Sequence, residues 1–401
     1  MLASVVAFAL GHLGAHQAPD FTPDLDALIA AMREDGAYVR EDGIDFPALD
    51  AAYRPRFAAA ATRRELLPVL EAFVGELHDP HASLGSNNDH SPRLVPSGAD
   101  LMGIWRGERA FVEEARPGSL AAEAGILAGD EILTIGGEPV RKAAAEWLGV
   151  QPPGKRGWEW ALDAALAGRE DVPRRFALRH ASGETKGTEY AVALGTARDV
   201  PAPTRLTVID RPGRIVVLRP ENSLGQDELI RDVEATLPRL RAARGIVLDL
   251  RDTPSGGNTA VARGIMGLFL SRRLAFQRHV YEERATDTRR DWVEYATPRL
   301  KEPVQTRMVV LVDRWTGSMG EGLAIGLDAT RRATIVGTRM AGLRGAISGL
   351  TLPVSGLRVQ FPTEALFHPN GTPRHLWTPP VRISPGPGDP WITEAERILR
   401  R

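Results

Sequence analysis

The sequence predicts a multi-domain α/β protein, and three features support this: the chain length, an amino-terminal helical pattern, and a later alternation of strands and helices. The chain has 401 residues, enough for about two or three domains that each bury a core. Apolar residues between positions 23 and 78 recur at three- and four-residue spacing, which is typical of amphipathic helices. Beyond residue 202, apolar strands alternate with helical segments, which favours a sheet covered by helices.

Residues 19–85 are predicted to form a helical amino-terminal domain. Proline cannot continue a helix, so its last helix is expected to stop at Asp79-Pro80. The polar segment 85–97 is predicted to be a linker. The apolar positions at helical spacing are Leu25, Leu28, Ile29, Met32, Leu66, Leu67, Leu70, Phe73, Val74 and Leu77.

Residues 1–18 are interpreted as a signal segment for export to the periplasm or the medium. The uncharged apolar run from Leu2 to Ala15 is too short for a bilayer span of about 20 residues but suits a signal peptide. No basic residue precedes this run, so the alternative is an apolar helix that packs on the body of the protein. No other segment is long enough to cross a membrane.

The composition excludes several classes of function. Lys and Arg number 50 and Asp and Glu 51, giving a formal charge of −1, and no basic patch with interleaved aromatic residues is present. A nucleic-acid partner is therefore not expected. The chain has no cysteine, which excludes disulfides, thiolate nucleophiles and cysteine-ligated zinc. Any nucleophile must be an oxygen or a nitrogen.

Residues 96–197 are predicted to form a β-rich module. The segment from Arg116 to Val140, RPGSLAAEAGILAGDEILTIGGEPV, resembles a PDZ domain. The resemblance implies a module that adds the carboxyl-terminal strand of a peptide to its own sheet edge. The loop that receives the terminal carboxylate is expected at Leu101, Met102, Gly103 and Ile104. The alternative is a scaffold module that binds no peptide.

Residues 202–401 form the predicted αβ core, in which two strand-to-loop junctions carry candidate chemistry. The first junction, 249–258, has paired glycines, Gly256 and Gly257, which can bring bare N–H groups close to a ligand oxygen. The second places Ser318 at the start of a predicted helix, where the free N–H groups favour a developing oxyanion. On position alone, an ordinary helix cap worth about 1 kcal/mol is the favoured interpretation of Ser318.

Taken together, these features resemble the carboxyl-terminal processing, or tail-specific, peptidases and their tricorn-like relatives. The resemblance rests on DLRDTPSGG at 249–257 and RWTGSMGEGLAIGLDATRRATIVGTRMAG at 314–342, following a PDZ-like module, and it extends from about residue 77 to residue 381. It implies a crotonase-like core without a cofactor, and Ser318 as the nucleophile. The implied oxyanion hole is the amide of Met319 together with Gly256 or Gly257.

The identity of the base distinguishes the branches of this family. In the processing-peptidase branch a lysine follows a Gly-x-x-Thr-x-Gly motif, but here Leu343 stands at that position. The neighbouring Arg344 cannot replace it, because guanidinium stays protonated. His81 matches the Asp-x-His segment of the tricorn-like branch, which implies a histidine base. The alternative for His81 is a helix-capping or surface role.

A third catalytic member is less well defined. In the tricorn-like branch a serine precedes the histidine and relays to a glutamate, but here Pro80 precedes it. Glu364 and Asp79 are the candidate orienting carboxylates, and Glu321 keeps the Ser-x-x-Glu spacing of the family. His78 and His81 also resemble a metal pair, but the proline breaks their helical face and no third ligand follows, so no metal is expected.

The function implied is an exported serine endopeptidase that cleaves unfolded or carboxyl-terminally exposed polypeptides through an acyl-enzyme. The first alternative is a noncatalytic peptide- or ligand-binding protein of the same fold, favoured by Leu343, by Pro80 and by Met340 in place of the motif threonine. The crotonase-like core also suggests an acyl-CoA enzyme. This alternative is weaker, because a PDZ-like module has no evident use in such an enzyme. The expected partners are protein or peptide substrates, and the sequence leaves the oligomeric state open.

Overall fold

The computed structural model describes residues 19–190 and 204–401. The predicted signal segment 1–18 and the predicted end of the PDZ-like module near residue 197 lie outside the described residues. Within the described ranges, no helix combines the length and the apolar character needed to cross a bilayer.

The amino-terminal domain is helical, as predicted. Asp45 and Thr62 accept hydrogen bonds from backbone amides in the first turns of its second and third helices, as helix-capping residues do. The third helix ends at Gly75, earlier than the proline at position 80 requires. The elements are α1 (Thr22–Asp35), α2 (Phe46–Ala59), α3 (Arg63–Gly75) and, after the last helix, the short strand β1 (Ser83–Leu84).

The second domain is a six-stranded antiparallel sheet with three helices. The strands are β2 (Leu101–Arg106), β3 (Arg109–Ala115), β4 (Glu131–Ile135), β5 (Glu138–Pro139), β6 (Arg174–Arg179) and β7 (Thr185–Tyr190), and the helices are α4 (Leu120–Glu123), α5 (Val140–Ala145) and α6 (Gly154–Ala167). The strand order is β2-β3-β4-β6-β7, with β5 beside β4. Strand β2 therefore forms one edge of the sheet.

The third domain contains a mostly parallel sheet and an antiparallel sheet. Its strands are β8 (Leu206–Arg211), β9 (Ile215–Pro220), β10 (Gly245–Asp249), β11 (Leu274–Glu283), β12 (Thr288–Ala296), β13 (Arg307–Val312), β14 (Thr334–Gly337), β15 (Ala346–Thr351), β16 (Arg358–Phe367) and β17 (Val381–Arg382). Its helices are α7 (Glu228–Ala235), α8 (Leu237–Ala242), α9 (Thr259–Gly267), α10 (Met319–Ala329) and α11 (Pro390–Arg400), with 3₁₀ turns at Arg284–Thr286 and Arg374–Leu376. Helices α7 and α8 are divided at Thr236, because Pro238 cannot donate to the preceding turn.

The parallel sheet is buried on both faces, as its continuous apolar strands predict. The strand order is β17-β14-β13-β10-β9-β8, and neighbouring strands from β9 to β17 run parallel. Helices α9 and α10 cover one face and α11 covers the other. The carboxyl ends of β10 and β13 consequently meet at one edge of the sheet, where both predicted junctions lie.

The antiparallel sheet joins the helical domain to the core. Its order is β1-β16-β11-β12, with β15 also beside β16, and Ser83 pairs with Gln360. Side chains of β15, β16 and the turn between them complete the apolar core of the helical domain. The chain that leaves the helical domain thus becomes a strand of the core sheet before the predicted boundary at residue 85. The α/β multi-domain prediction is confirmed.

Candidate active site

Ser318 occupies a strained turn between β13 and α10. Its backbone has φ 47° and ψ −107°, a conformation that non-glycine residues rarely adopt and that folds retain mainly at functional sites. The Ser318 amide donates to Glu321 Oε2 at 2.9 Å. Gly256 approaches so closely that a Cβ there would lie 2.5 Å from Ser318 Cβ. The turn therefore tolerates no side chain at Gly256, and it fixes the direction of the serine hydroxyl.

His81 meets Ser318 across the domain boundary. The two residues are 237 positions apart in the chain, and His81 Nε2 lies 3.1 Å from Ser318 Oγ. On the other side of the ring, Nδ1 lies 2.7 Å from the carbonyl oxygen of Arg344. A carbonyl can only accept, so Nδ1 carries the proton and Nε2 is left to accept the hydroxyl proton of Ser318.

The imidazole of His81 is kept neutral by its surroundings. Burial is the largest cause, and the positive charge of Arg374 is the next; together they lower the pKa of His81 to about 4. A neutral imidazole is the form that can act as a general base. The backbone amide of His81 donates to Asp79 Oδ1 at 2.9 Å, which fixes the segment that carries the ring.

Two arginines hold the loop that binds the imidazole. Arg374 Nη2 donates to the carbonyls of Leu343 at 2.8 Å and Gly345 at 2.7 Å, on either side of residue 344. The Arg344 side chain pairs with Asp42 at 2.7 Å and lies 3.6 Å from the ring centre of Tyr38. The helical domain therefore supports the carbonyl that orients the histidine.

Glu321 contacts the turn at Ser318 rather than the imidazole of His81. Its carboxylate accepts from the Ser318 amide and, at 2.9 Å, from the amide of Gly342. Burial raises its pKa to about 7, against the opposing effect of Arg374 and of these hydrogen bonds. It lies one helical turn beyond the serine, as its spacing predicts.

Glu364 does not lie against His81 in this structure. Its Oε2 lies 2.8 Å from His279 Nδ1, and the imidazole of His81 binds a main-chain carbonyl instead. The role of orienting carboxylate predicted for Glu364 is therefore not supported. Asp79 contacts the backbone amide of His81 rather than its ring. The pairing of β11 with β16 places Glu364 beside His279.

The predicted oxyanion hole is assembled around Ser318, but its three amides differ in availability. The amide of Gly256 donates to the carbonyl of Thr253 at 3.2 Å. The amides of Gly257 and Met319 have no hydrogen-bond partner among the residues described. Met319 begins α10, where first-turn amides lack helical partners. Gly257 and Met319 are thus the donors that remain free to bind an oxyanion, while Gly256 provides the close approach.

The loop predicted to bind a peptide carboxylate is already occupied by a carboxylate of the same chain. The amide of Gly103 donates to Asp163 Oδ1 of α6 at 2.8 Å, and a Cβ at Gly103 would lie 2.6 Å from the side chain of Leu162. Leu101 and Met102 are fully buried, and Ile104 is half-buried within β2. Helix α6 thus covers the part of β2 where peptide binding was predicted.

The same part of the PDZ module contacts the nucleophile turn. Trp315 is fully buried, and its indole N–H donates to the carbonyl of Ala99 at 2.8 Å. Arg314 binds Asp163 and Glu113, both at 3.1 Å. These contacts join the PDZ module to the loop that carries Ser318.

Sequence reasoning missed the arginines and the carbonyl that organise this site. Arg374 begins a short 3₁₀ turn without a motif. Every residue has a carbonyl, so that of Arg344 carries no sequence signal. The replacement of the family lysine by Leu343 was the available sign that the loop has another role. Among residues 19–190 and 204–401, no group of His, Asp and Glu side chains is arranged to hold a metal ion.

Comparisons with known proteins agree with this architecture. Residues 222–380 match the family model described as Peptidase family S41, and residues 111–149 match the PDZ domain model. A carboxyl-terminal-processing protease from Synechocystis sp. is 27% identical over 298 residues, covering 72% of this chain and 63% of the relative. The chain thus spans less than two thirds of the length of that relative.

Solved structures share the fold over nearly the whole chain. The structure of mature CPAF complexed with lactacystin has a TM-score of 0.63 at 14% identity, covering 95% of this chain and 97% of the other. The photosystem II D1 C-terminal processing protease has a TM-score of 0.59 at 18% identity, covering 96% and 98%. At these identities the similarity establishes the fold. The matches to the S41 and PDZ models and to the Synechocystis protease confirm the predicted resemblance to the carboxyl-terminal processing peptidases.

Proposed function

We propose, from the match of residues 222–380 to the model of peptidase family S41, that this protein is a serine peptidase with Ser318 as nucleophile and His81 as base. The observation that carries the proposal is the 3.1 Å contact between His81 Nε2 and Ser318 Oγ. The opposite ring nitrogen is protonated toward a carbonyl, which leaves Nε2 unprotonated. A hydroxyl is a weak nucleophile unless such a base accepts its proton.

The proposed reaction has two halves. His81 takes the hydroxyl proton as Ser318 Oγ attacks the peptide carbonyl carbon, and the amides of Gly257 and Met319 bind the oxyanion. His81 then gives the proton to the leaving amine, the C–N bond breaks and an ester to Ser318 remains. Water, deprotonated by His81, attacks this ester, and return of the proton to Ser318 releases the carboxyl product. No cofactor is required for these steps.

The substrate class proposed is unfolded or carboxyl-terminally exposed polypeptide. The PDZ match at residues 111–149 and the name of the Synechocystis relative support this choice. The edge position of β2 suits main-chain pairing with a peptide. Because Asp163 occupies the Gly103 amide, capture of a free carboxylate there requires Asp163 to move. Once Asp163 has moved, the Gly103 amide can bind a terminal carboxylate, and peptides with a free carboxyl terminus should then be cleaved faster than the same peptides with an amidated terminus.

Export from the cytoplasm is proposed from the uncharged apolar run at residues 2–15. Amino-terminal sequencing of the protein recovered from periplasmic and secreted fractions tests this. A mature chain that starts shortly after the run supports export, and an intact protein confined to the cytoplasm contradicts it.

Ser318→Ala, His81→Ala and a matched control separate a peptidase from a binding protein. We expect the wild type to cleave an unstructured protein such as casein and to react with a fluorophosphonate probe, because only an activated serine is labelled. Ser318→Ala should abolish both. Ser255→Ala is the control, because this exposed hydroxyl lies in the glycine loop and, among the residues the structure describes, bonds only Asn222, at 3.0 Å.

Unchanged cleavage by Ser318→Ala would remove the nucleophile assignment. Undiminished labelling of His81→Ala by the probe would remove the assignment of His81 as the base. A folded wild type that neither cleaves nor labels would favour the noncatalytic binding protein. This second candidate function is supported by Leu343 at the position of the family lysine and by Met340 in place of the motif threonine.

A further inference from the structure

A cleft lies between the PDZ module and the core domain, next to the carboxyl ends of the parallel strands. Its volume is about 840 Å³. One wall comes from β3, α4 and the turn after α4, and the other from the ends of β9, β10 and β13 and from the segment 385–391. The crevice outside the carboxyl ends of such strands is where α/β folds commonly bind ligands.

Most charged groups that line the cleft neutralise one another. Three arginines of the lining are bound to three aspartates of the lining, so these groups carry no excess charge. The pairs are Arg116–Asp252 at 2.6 Å, Arg219–Asp249 at 3.0 Å, Arg251–Asp249 at 2.8 Å and Arg251–Asp389 at 2.9 Å.

Two carboxyl groups of the lining lack such a partner. Glu114 is 3% exposed, and its Oε1 has no hydrogen-bond partner in the described structure. Asp313 is also 3% exposed, and its Oδ1 accepts from the amide of Trp315 at 2.8 Å. Within residues 19–190 and 204–401, neither forms an ion pair. Burying acidic groups without a cation is costly.

Neighbouring arginines do not supply that cation. Arg314 follows Asp313 directly, but its guanidinium is bound to Glu113 and Asp163, both at 3.1 Å. Arg251, whose charge acts on Asp313, is itself bound to Asp249 and Asp389. The cleft therefore has an acidic pair at one place, while its remaining charges are balanced.

The rest of the lining is largely apolar. Alanine, proline, isoleucine, leucine and tryptophan side chains form the walls, namely those of Ala115, Pro117, Ile126, Leu127, Pro387 and Trp391. Such walls suit the aliphatic stem of a long side chain that carries its charge at the tip.

We propose that this cleft binds the cationic side chain of a lysine or arginine residue of a polypeptide, with the alkyl stem between the apolar walls and the charged head against Glu114 and Asp313. That the polypeptide is a substrate rests on the proposed function, whereas the cation site itself does not. Asp313 belongs to the loop that continues to Ser318. A side chain bound in the cleft therefore contacts the loop that leads into the turn at Ser318.

The two acids also give this site a pH signature. Burial raises the pKa of Glu114 to about 7, and burial together with Glu114 raises the pKa of Asp313 well above its usual value. A bound cation favours their ionised forms, so binding releases protons and tightens as the pH rises. The other charged groups facing this pair are Glu113, Arg314, Asp249 and Arg251.

The test measures binding to the full-length Ser318→Ala protein, so that no cleavage is needed. The probe is a dye-labelled, amino-acetylated peptide with one central lysine, compared by fluorescence anisotropy with the same peptide containing ε-acetyl-lysine. At low salt and a pH of about 8, we expect the lysine peptide to bind at least ten times more tightly. This ratio should shrink at a pH of about 6.

Variants assign the preference to the acidic pair. Glu114→Gln and, separately, Asp313→Asn should bring the ratio close to one. Glu123→Gln, which removes an exposed carboxylate of the same short helix that lines the cleft, should leave it unchanged. Circular dichroism confirms that each variant is folded.

Three results would overturn the proposal. Equal binding of the two peptides removes the cation site, and so does a ratio that both folded variants retain. Displacement of the lysine peptide by an equal concentration of cadaverine would assign the site to free amines rather than to polypeptides. Lysine-selective binding to a wild type that cleaves nothing would support this site while refuting the peptidase. Casein cleavage without lysine selectivity would do the reverse.

Discussion

Replacing Arg374 with methionine tests whether the carbonyl of Arg344, held in place by Arg374, orients His81 as the third member of the catalytic group. Arg374 is 3% exposed and donates to Leu343 O and Gly345 O at 2.8 and 2.7 Å. A hydrogen bond from a charged donor contributes about 1.5–3 kcal/mol. Losing both should therefore weaken the loop by about 3–6 kcal/mol before it relaxes.

Two kinetic effects should follow in Arg374→Met. If the loosened loop costs the base one net hydrogen bond of about 1 kcal/mol, kcat should fall roughly five- to tenfold. The charge of Arg374 helps to hold the pKa of His81 at about 4. Its removal raises that pKa, so the acidic limb of kcat/KM should move to higher pH.

The assay is a pH–rate profile from about pH 4 to pH 9 with a fluorogenic peptide, together with the melting temperature. Arg374→Lys keeps the charge but not the paired geometry, so it should lose kcat while the acidic limb stays in place. Arg382→Met, at an exposed arginine, is the control. If Arg374→Met only melts earlier, with kcat and the pH profile unchanged, Arg374 is structural and the reasoning fails.

Three further substitutions probe the site. Gly256→Ala should abolish cleavage in an otherwise folded protein, because its Cβ would lie 2.5 Å from Ser318 Cβ. Burial raises the pKa of Glu321 to about 7, so the folded protein binds this proton more tightly than the unfolded chain. Stability should fall as the pH rises from about 4.5 to 7, and Glu321→Gln should flatten melting temperature against pH. Glu364→Gln should leave cleavage unchanged, since this carboxylate pairs with His279.

Each of these has a distinct contrary result. Active Gly256→Ala would mean that the glycine turn can retreat from the serine. A pH-dependent melting curve that Glu321→Gln retains would assign the dependence to another group. A large fall in kcat for Glu364→Gln, with kcat restored by Glu364→Asp, would return this residue to the catalytic group.

The sequence predicts best where local pattern and local chemistry agree. Ser318 could be found because a strand, a small-residue turn and a helix follow one another within about ten residues, and the glycine pair at 256–257 because such turns require glycine. The helical domain followed from the spacing of its apolar residues. The PDZ module could be predicted because one contiguous segment, 116–140, carries the resemblance.

Features that depend on pairing distant segments could not be predicted in the same way. The position of Glu364 is fixed by the register of β16 against β11, which the sequence does not specify. The anion site at Gly103 was reasonable for a strand edge, but Asp163 comes to it from a helix about 60 residues later. The carbonyl of Arg344 is selected by tertiary contacts alone.

The pairing of β1 with β16 has a consequence for biosynthesis. The imidazole of His81 lies just ahead of β1 and leaves the ribosome early, whereas its partner strand β16 is made long afterwards. A nascent or truncated copy therefore cannot complete the constellation around the hydroxyl.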